Sequence, residues 1–197
     1  MFVVILLALV GVTVFWVIGA YNALISLKNQ VANAWKQIDV QLKRRHDLIP
    51  NLVETVKGAM QFERDTLDAV ITARNQAIAV ERGNASVAQT AKAEGALTGA
   101  LGRLLAVVEA YPDLKATGNV KQLQEELTST ENKISFARQL YNDTATLYNT
   151  KQSQFPTNMV SGLAKAVPAE LWEITDERER AVPKIDLSMK AADRSRV

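Results

Sequence analysis

An uncharged apolar run opens the chain, and it limits what the N-terminal segment can become. From Phe2 to Ala20 there is no Asp, Glu, Lys or Arg, and Thr13 is the one weakly polar side chain. Nineteen residues at helical rise reach about 28 Å, close to the hydrocarbon thickness of a bilayer. A buried core helix would carry polar residues on one side, and this run has none. A cleaved signal peptide would need a basic residue ahead of a shorter apolar core. Ile18-Gly19-Ala20 could serve as a cleavage site, but no Lys or Arg precedes it. The run therefore predicts an uncleaved transmembrane anchor, with Phe2 to Ala20 in the lipid bilayer. Trp16 and Tyr21 stand near one end, where amphipathic rings favour the headgroup region.

Flanking charge orients such an anchor. Lys28, Lys36, Lys43, Arg44 and Arg45 follow the run, against Asp39. Positive charge stays on the cytoplasmic side, so the expected arrangement is an N-terminus outside and a cytoplasmic domain. A periplasmic or extracellular domain is the alternative.

Beyond the anchor the chain carries helical periodicity throughout. Leu24, Leu27, Val31, Trp35, Ile38 and Leu42 step by 3, 4, 4, 3 and 4, a heptad-like seam. No Gly or Pro lies between Gly19 and Pro50, so the membrane helix is expected to continue into a soluble stalk. Pro50 is expected to mark a kink or boundary, because the residue before a proline is pushed out of helical geometry. A second helix is expected from about Asn51 to Val80, stopped at Arg82-Gly83-Asn84. Ser86 and Gln89 form a capping-box pattern for a third, which Tyr111-Pro112 ends. Gly95, Gly99 and Gly102 lie inside that helix, each costing about 1 kcal/mol of helix propensity. Close approach of a neighbouring helix would explain them, and a flexible break there is the competing reading. Pro112 to Gly118 reads as a turn region, and with Asn119 as N-cap a fourth helix runs from Val120 for about 33 residues to Phe155-Pro156. The fold class is all-α: an N-terminal transmembrane helix continuous with an antiparallel, four-helix-bundle-like domain of long helices. The expected divisions are the anchor at 1–20, the bundle at 21–163, and a C-terminal segment with a charged tail at 164–197.

Composition narrows the chemistry. The net charge is +2, which offers no global excess for nucleic acid. Without Cys there is no disulfide, thiolate ligand or thiol nucleophile. The lone His46 makes a zinc or iron site improbable, since these draw on two or more His or Cys ligands. It is expected as a structural histidine, at the surface or between helices. Phosphate-loop, hydrolase-elbow and kinase patterns are missing, and no cofactor or metal is expected.

Two polar patterns stand out. Asp39, Lys43, Arg44, Arg45, Asp47 and Asn51 form the densest polar group on otherwise apolar-striped helices. They are the candidate interaction or anion site, aided by the amides of a helix starting after Pro50. The competing reading pairs these charges with carboxylates such as Glu54, Glu109 or Glu126 on adjacent helices. Tyr21-Asn22, Tyr141-Asn142 and Tyr148-Asn149 are three Tyr-Asn pairs. The last two are seven residues apart and share a helix face, which reads as interhelical packing, with each buried hydroxyl wanting a partner.

The stretches Ala34-Trp35-Lys36-Gln37-Ile38-Asp39 through Arg45, Asp47-Leu48-Ile49-Pro50-Asn51-Leu52-Val53, and Leu104 through Ala116 resemble the LemA family. So does the region from Leu123 to Asn149, through Glu131-Asn132, Ala137-Arg138, Tyr141-Asn142 and Tyr148-Asn149. The resemblance covers about residues 1–163 and implies a bacterial membrane helix bearing a helical bundle. It brings no assigned activity, although one branch of the family takes part in magnetosome formation. After Gly162 an aromatic-rich patch is implied, whereas Ala164, Lys165 and Ala166 stand here. The resulting expectation is a non-enzymatic, single-pass scaffold at the bacterial inner membrane, homo-oligomeric or recruiting protein partners not identified by sequence. A membrane-surface sensor or lipid-binding module is the alternative, and a metal-dependent hydrolase is the third.

Overall fold

A computed structural model describes residues 1–58, 60, 63–83, 85–112 and 118–173. The charged tail expected beyond them, and 113–117 of the expected turn, lie outside the described residues. Among the described residues five helices follow in order: α1 Phe2–Lys57, α2 Arg64–Arg82, α3 Val87–Glu109, α4 Gly118–Ser153 and the short α5 Asn158–Ser161. Among the described residues there is no strand, and the all-α class holds.

α1 is a single helix of 56 residues, and its surroundings change along its length. Its apolar first third is exposed, with Phe2 and Phe15 among the most accessible side chains. It is long and apolar enough to cross a membrane. At Leu24 the helix turns one face inward, and Ala34, Ile38, Leu42, Ile49, Leu52 and Val56 continue the buried seam. Leu27, Val31 and Trp35 from the expected seam are half-buried beside it.

α4 lies antiparallel along this seam. Leu24 clusters with Tyr148, Ile38 with Tyr141 and Ile134, and Val53 with Leu127 and Val120. The α4 contacts recur every seven residues at Val120, Leu127, Ile134, Tyr141 and Tyr148, the repeat that keeps two long helices in register. α2 and α3 form a hairpin that adds a second layer over the distal half. There Leu67, Val70, Leu97, Leu101 and Leu104 complete a four-helix core with Ile49–Met60. Each such side chain contributes about 1.5–3 kcal/mol on burial. Toward the apolar end of α1 the body narrows to α1, α4 and the chain after α5.

Three local expectations need correction. Pro50 does not start a new helix: it sits inside α1. A helical proline leaves the carbonyl four residues back without its amide partner, here that of His46. Arg74 Nε from α2 donates to that carbonyl at 2.7 Å, so the helix runs on. The first break comes at Gly58, about two turns past Pro50, and α2 begins at Arg64. The glycines of α3 do not mark close helix approach. A Cβ on Gly95 or Gly102 would meet nothing within 4 Å, and one on Gly99 would meet only the Arg103 side chain at 4.0 Å.

The expected stops agree well. Arg82-Gly83 ends α2, and the Ser86–Gln89 capping box is formed in both directions. Phe155-Pro156 closes the region after α4. Residues 164–173 then pack onto the bundle, with Ala164 and Trp172 buried.

Candidate functional site

The seam of α1 carries two polar residues where its register calls for apolar ones. Arg45 and His46 fall between Leu42 and Ile49 and are each 2% exposed. α3 presents Glu94 at the matching point of its own buried stripe, between Ala91 and Leu97, at 3%. A charge so buried is tolerable only when paired and hydrogen-bonded. Arg45 Nη2 donates to Glu94 Oε2, while its Nη1 donates to Glu131 Oε2 of α4 at 2.6 Å and to Thr98 Oγ1 at 3.0 Å. One guanidinium therefore ties α1 to α3 and α4 at once.

His46 extends the network. Its Nε2 lies 2.9 Å from Glu94 Oε1, and its Nδ1 is 3.7 Å from Glu81 of α2. A carboxylate only accepts, so Nε2 is the nitrogen that carries a proton. Burial pushes the Glu94 carboxyl up, but the hydrogen bond from His46 and the Arg45 charge more than offset it. Its pKa ends below the ordinary 4.5. Asp39, half-buried, moves the opposite way from 3.8, through burial and then the Glu81 carboxylate. His46 is thus a structural histidine between helices. Its two nitrogens face different carboxylates, so the groups chain together and do not converge on one point as ligands would.

The six candidate site residues are not one site. Arg45 is inside. Lys43 and Asp47 pair with each other on the surface at 2.7 Å, and the Lys43 hydrogen bond holds the Asp47 carboxyl below its ordinary value. Arg44 stands 3.9 Å from Glu126, one of the three carboxylates anticipated for such pairing. Asn51 is exposed and lies mid-helix, where the amides after Pro50 belong to α1. The helix start that would have supplied them to an anion is not formed. A cleft of about 230 Å³ opens beside Arg45 between α3 and α4, walled by Leu101, Leu105 and Leu127, with Glu131 at its lip.

Sequence reasoning missed Glu94, Glu81, Glu131, Thr98 and Arg74. The signal was present: Glu94 interrupts the apolar register of α3, and Arg45 interrupts that of α1 at the same depth.

A second site forms where α4 meets the chain after α5. The segment 166–173 runs extended along α4, and two asparagines hold it. Asn149 accepts from the Ala169 amide and donates to its carbonyl, both at 2.8 Å. Asn142 does the same with Trp172, at 2.8 and 2.9 Å. Tyr141 Oη donates to the Glu170 carbonyl at 2.7 Å, which supplies the partner its burial requires. That burial, with the Glu170 charge, raises the Tyr141 pKa above 10.0. Trp172 packs against Trp35, ring centroids 5.9 Å apart, under the Arg138 guanidinium at 5.1 Å. Glu170 accepts from the Val87 and Ala88 amides at the start of α3, at 3.0 and 3.4 Å. Asn142, Asn149 and Tyr141 thus hold the strap, whereas Tyr148 packs with Leu24 and Ala164 and its buried hydroxyl finds no protein partner among the described residues. Tyr21-Asn22 is exposed and outside this contact.

Comparison with known proteins finds relatives along most of the chain. Protein LemA of Metamycoplasma hominis is 28% identical over 186 residues, covering 94% of this chain and 81% of that protein. Magnetosome protein MamQ 2 of Paramagnetospirillum magneticum is 23% identical over 175 residues, or 78% of this chain and 64% of that protein. Magnetosome protein MamQ of Magnetospirillum gryphiswaldense is 23% identical over 170 residues, spanning 74% of this chain and 62% of its own length. The chain thus spans just under two thirds of the MamQ proteins. The model of the LemA family matches residues 34–187, from the bundle part of α1 through the ion cluster and past the strap. The chain belongs to the LemA family.

Proposed function

We propose that this chain is a single-pass, membrane-anchored helical scaffold that self-assembles or recruits protein partners at the bacterial inner membrane, without catalysing a reaction. One observation carries the reading. The helix with an exposed apolar first third is the same helix whose remainder forms the bundle core, so anchor and domain are one rigid element. The ion cluster supports a structural role, because Arg45 spends both terminal nitrogens on protein groups. Two relatives carry magnetosome names, which suits a protein that organises a membrane.

The flanking lysines and arginines favour a cytoplasmic bundle. Protease applied outside sealed spheroplasts should leave the bundle intact, and its digestion would reverse the orientation. Assembly is tested by cross-linking in native membranes with mass measurement. Multiples of the 21.7 kDa chain are expected, and a strictly monomeric band would overturn the scaffold reading. The lipid-binding alternative draws on five basic residues, of which Arg45 is buried and Lys43 and Arg44 face carboxylates.

A further inference from the structure

Neither the anchor nor the ion cluster uses the groove that Asn142 and Asn149 build on α4. We propose that this groove is a docking site for an extended peptide backbone, and that segment 166–173 exchanges into it between two copies of the chain. The proposal rests on the membrane-scaffold reading for the way it brings copies together, and it specifies the contact.

The groove's chemistry selects an extended chain. Each asparagine amide gives one donor and one acceptor to the backbone of a single residue, as a neighbouring β-strand would. Seven residues along a helix advance about 10.5 Å, and three residues of extended chain advance about 10 Å. The spacing of Asn142 and Asn149 therefore matches that of Trp172 and Ala169, and both clamps close on one strap. Side-chain selection comes from two places: the aromatic slot for Trp172 and the α3 amides for the Glu170 carboxylate. The ligand class is an extended Glu-x-Trp peptide.

The strap's own connection argues for exchange. It leaves α5 through a turn at 162–165, where Lys165 has φ 45°, a conformation that side-chain-bearing residues rarely adopt. Straightening that turn removes the strain, while every clamp contact is the same whether the strap comes from its own chain or another. A strained hinge next to a self-contained element is the setting for swapping. The anchors add geometry. The groove lies beside α1 near Leu24 and Trp35, shortly past Ala20, so neighbouring copies in one membrane present it at the same height. Lateral confinement raises the effective concentration of one copy's strap at another's groove.

Full-length chains in mild detergent test this. A tagged Trp172→Ala copy keeps its groove but has a crippled strap; an Asn142→Ala/Asn149→Ala copy keeps its strap but has a crippled groove. Co-expressed, the tagged copy should retain the other about tenfold above either variant paired with itself, as one joint closure becomes available. Equal retention in every pairing would leave self-assembly standing and overturn strap exchange. Retention by wild type alone would also overturn it, unless the variants have unfolded. Two hinge variants that spare the groove cover that case. Lys165→Pro forbids the positive φ and should raise the dimer fraction severalfold, whereas Lys165→Gly tolerates it and should lower the fraction. Identical masses for the two hinge variants would sink the proposal whatever the capture result.

Discussion

At the scale of single residues, the cluster around Arg45 shows which balance the bundle tolerates. Two buried charges cost several kcal/mol each in desolvation, repaid only while both partners are in place. We predict that Arg45→Met destabilises the bundle by about 3–5 kcal/mol, because buried Glu94 loses the guanidinium charge and keeps only its His46 hydrogen bond. Adding Glu94→Leu should recover most of the loss; denaturant unfolding of the detergent-solubilised chain would check both. If the double variant were no better than the single one, Arg45 would matter through its shape and not its charge. Acid gives an independent test. The Glu94 pKa is lower in the folded chain than its ordinary 4.5, so its ionisation favours folding above that value. This contribution fades as pH drops through the lowered folded value. The stability gap between wild type and Glu94→Gln should therefore be widest near neutrality and shrink below pH 4.5. A gap that grew on acidification would contradict the assignment.

At the scale of elements, α1 crosses Pro50 because another element intervenes. The His46 carbonyl loses its helical amide and gains Arg74 Nε. A buried carbonyl left bare costs about 1–3 kcal/mol, which is the destabilisation expected of Arg74→Met. Pro50 is exposed, so Pro50→Ala sacrifices little packing and restores an amide donor. The pair should show a positive cycle: Pro50→Ala rescues Arg74→Met while changing wild type little. Additive losses would mean the two positions do not share the carbonyl. This contact also explains where sequence reading stopped. The α1 seam, the capping box at Ser86 and the stops at Gly83 and Pro112 are local signals, and they were legible as such. Whether Pro50 breaks a helix depends on a residue 24 positions away, which no local pattern encodes. The strap was hidden for a related reason. Asn142 and Asn149 carry a visible seven-residue spacing, but their ligand is an extended segment without periodicity of its own. Buried register disclosed the ion cluster only in retrospect, as charges interrupting the apolar stripes of α1 and α3 at one depth. The α3 glycines went the other way: the close approach inferred from them is replaced by open space.

At the scale of the whole molecule, the governing property is that the exposed apolar run and the bundle core share one helix. Leu24 is already in the core, four residues past Ala20, which leaves no room for a linker. Rotation about the membrane normal and rotation of the bundle are then the same coordinate. Helical phase makes this testable without damaging either end. One alanine inserted after Ala20 turns everything beyond it by about 100° and raises it about 1.5 Å. Seven inserted residues restore the original facing to within about 20°, despite lifting the bundle about 10.5 Å. If assembly uses surfaces on both sides of the insertion, cross-linked oligomers should fall sharply with one residue and return with seven. A Gly-Pro insertion at the same point should lose them, because it breaks the phase altogether. Facing would then matter more than height, as a rigid stalk requires. Oligomer yields that fell steadily with insert length would show that height above the bilayer governs assembly. Yields unchanged across all three insertions would mean that anchor and bundle act separately, and the continuity of α1 would have no bearing on how copies meet.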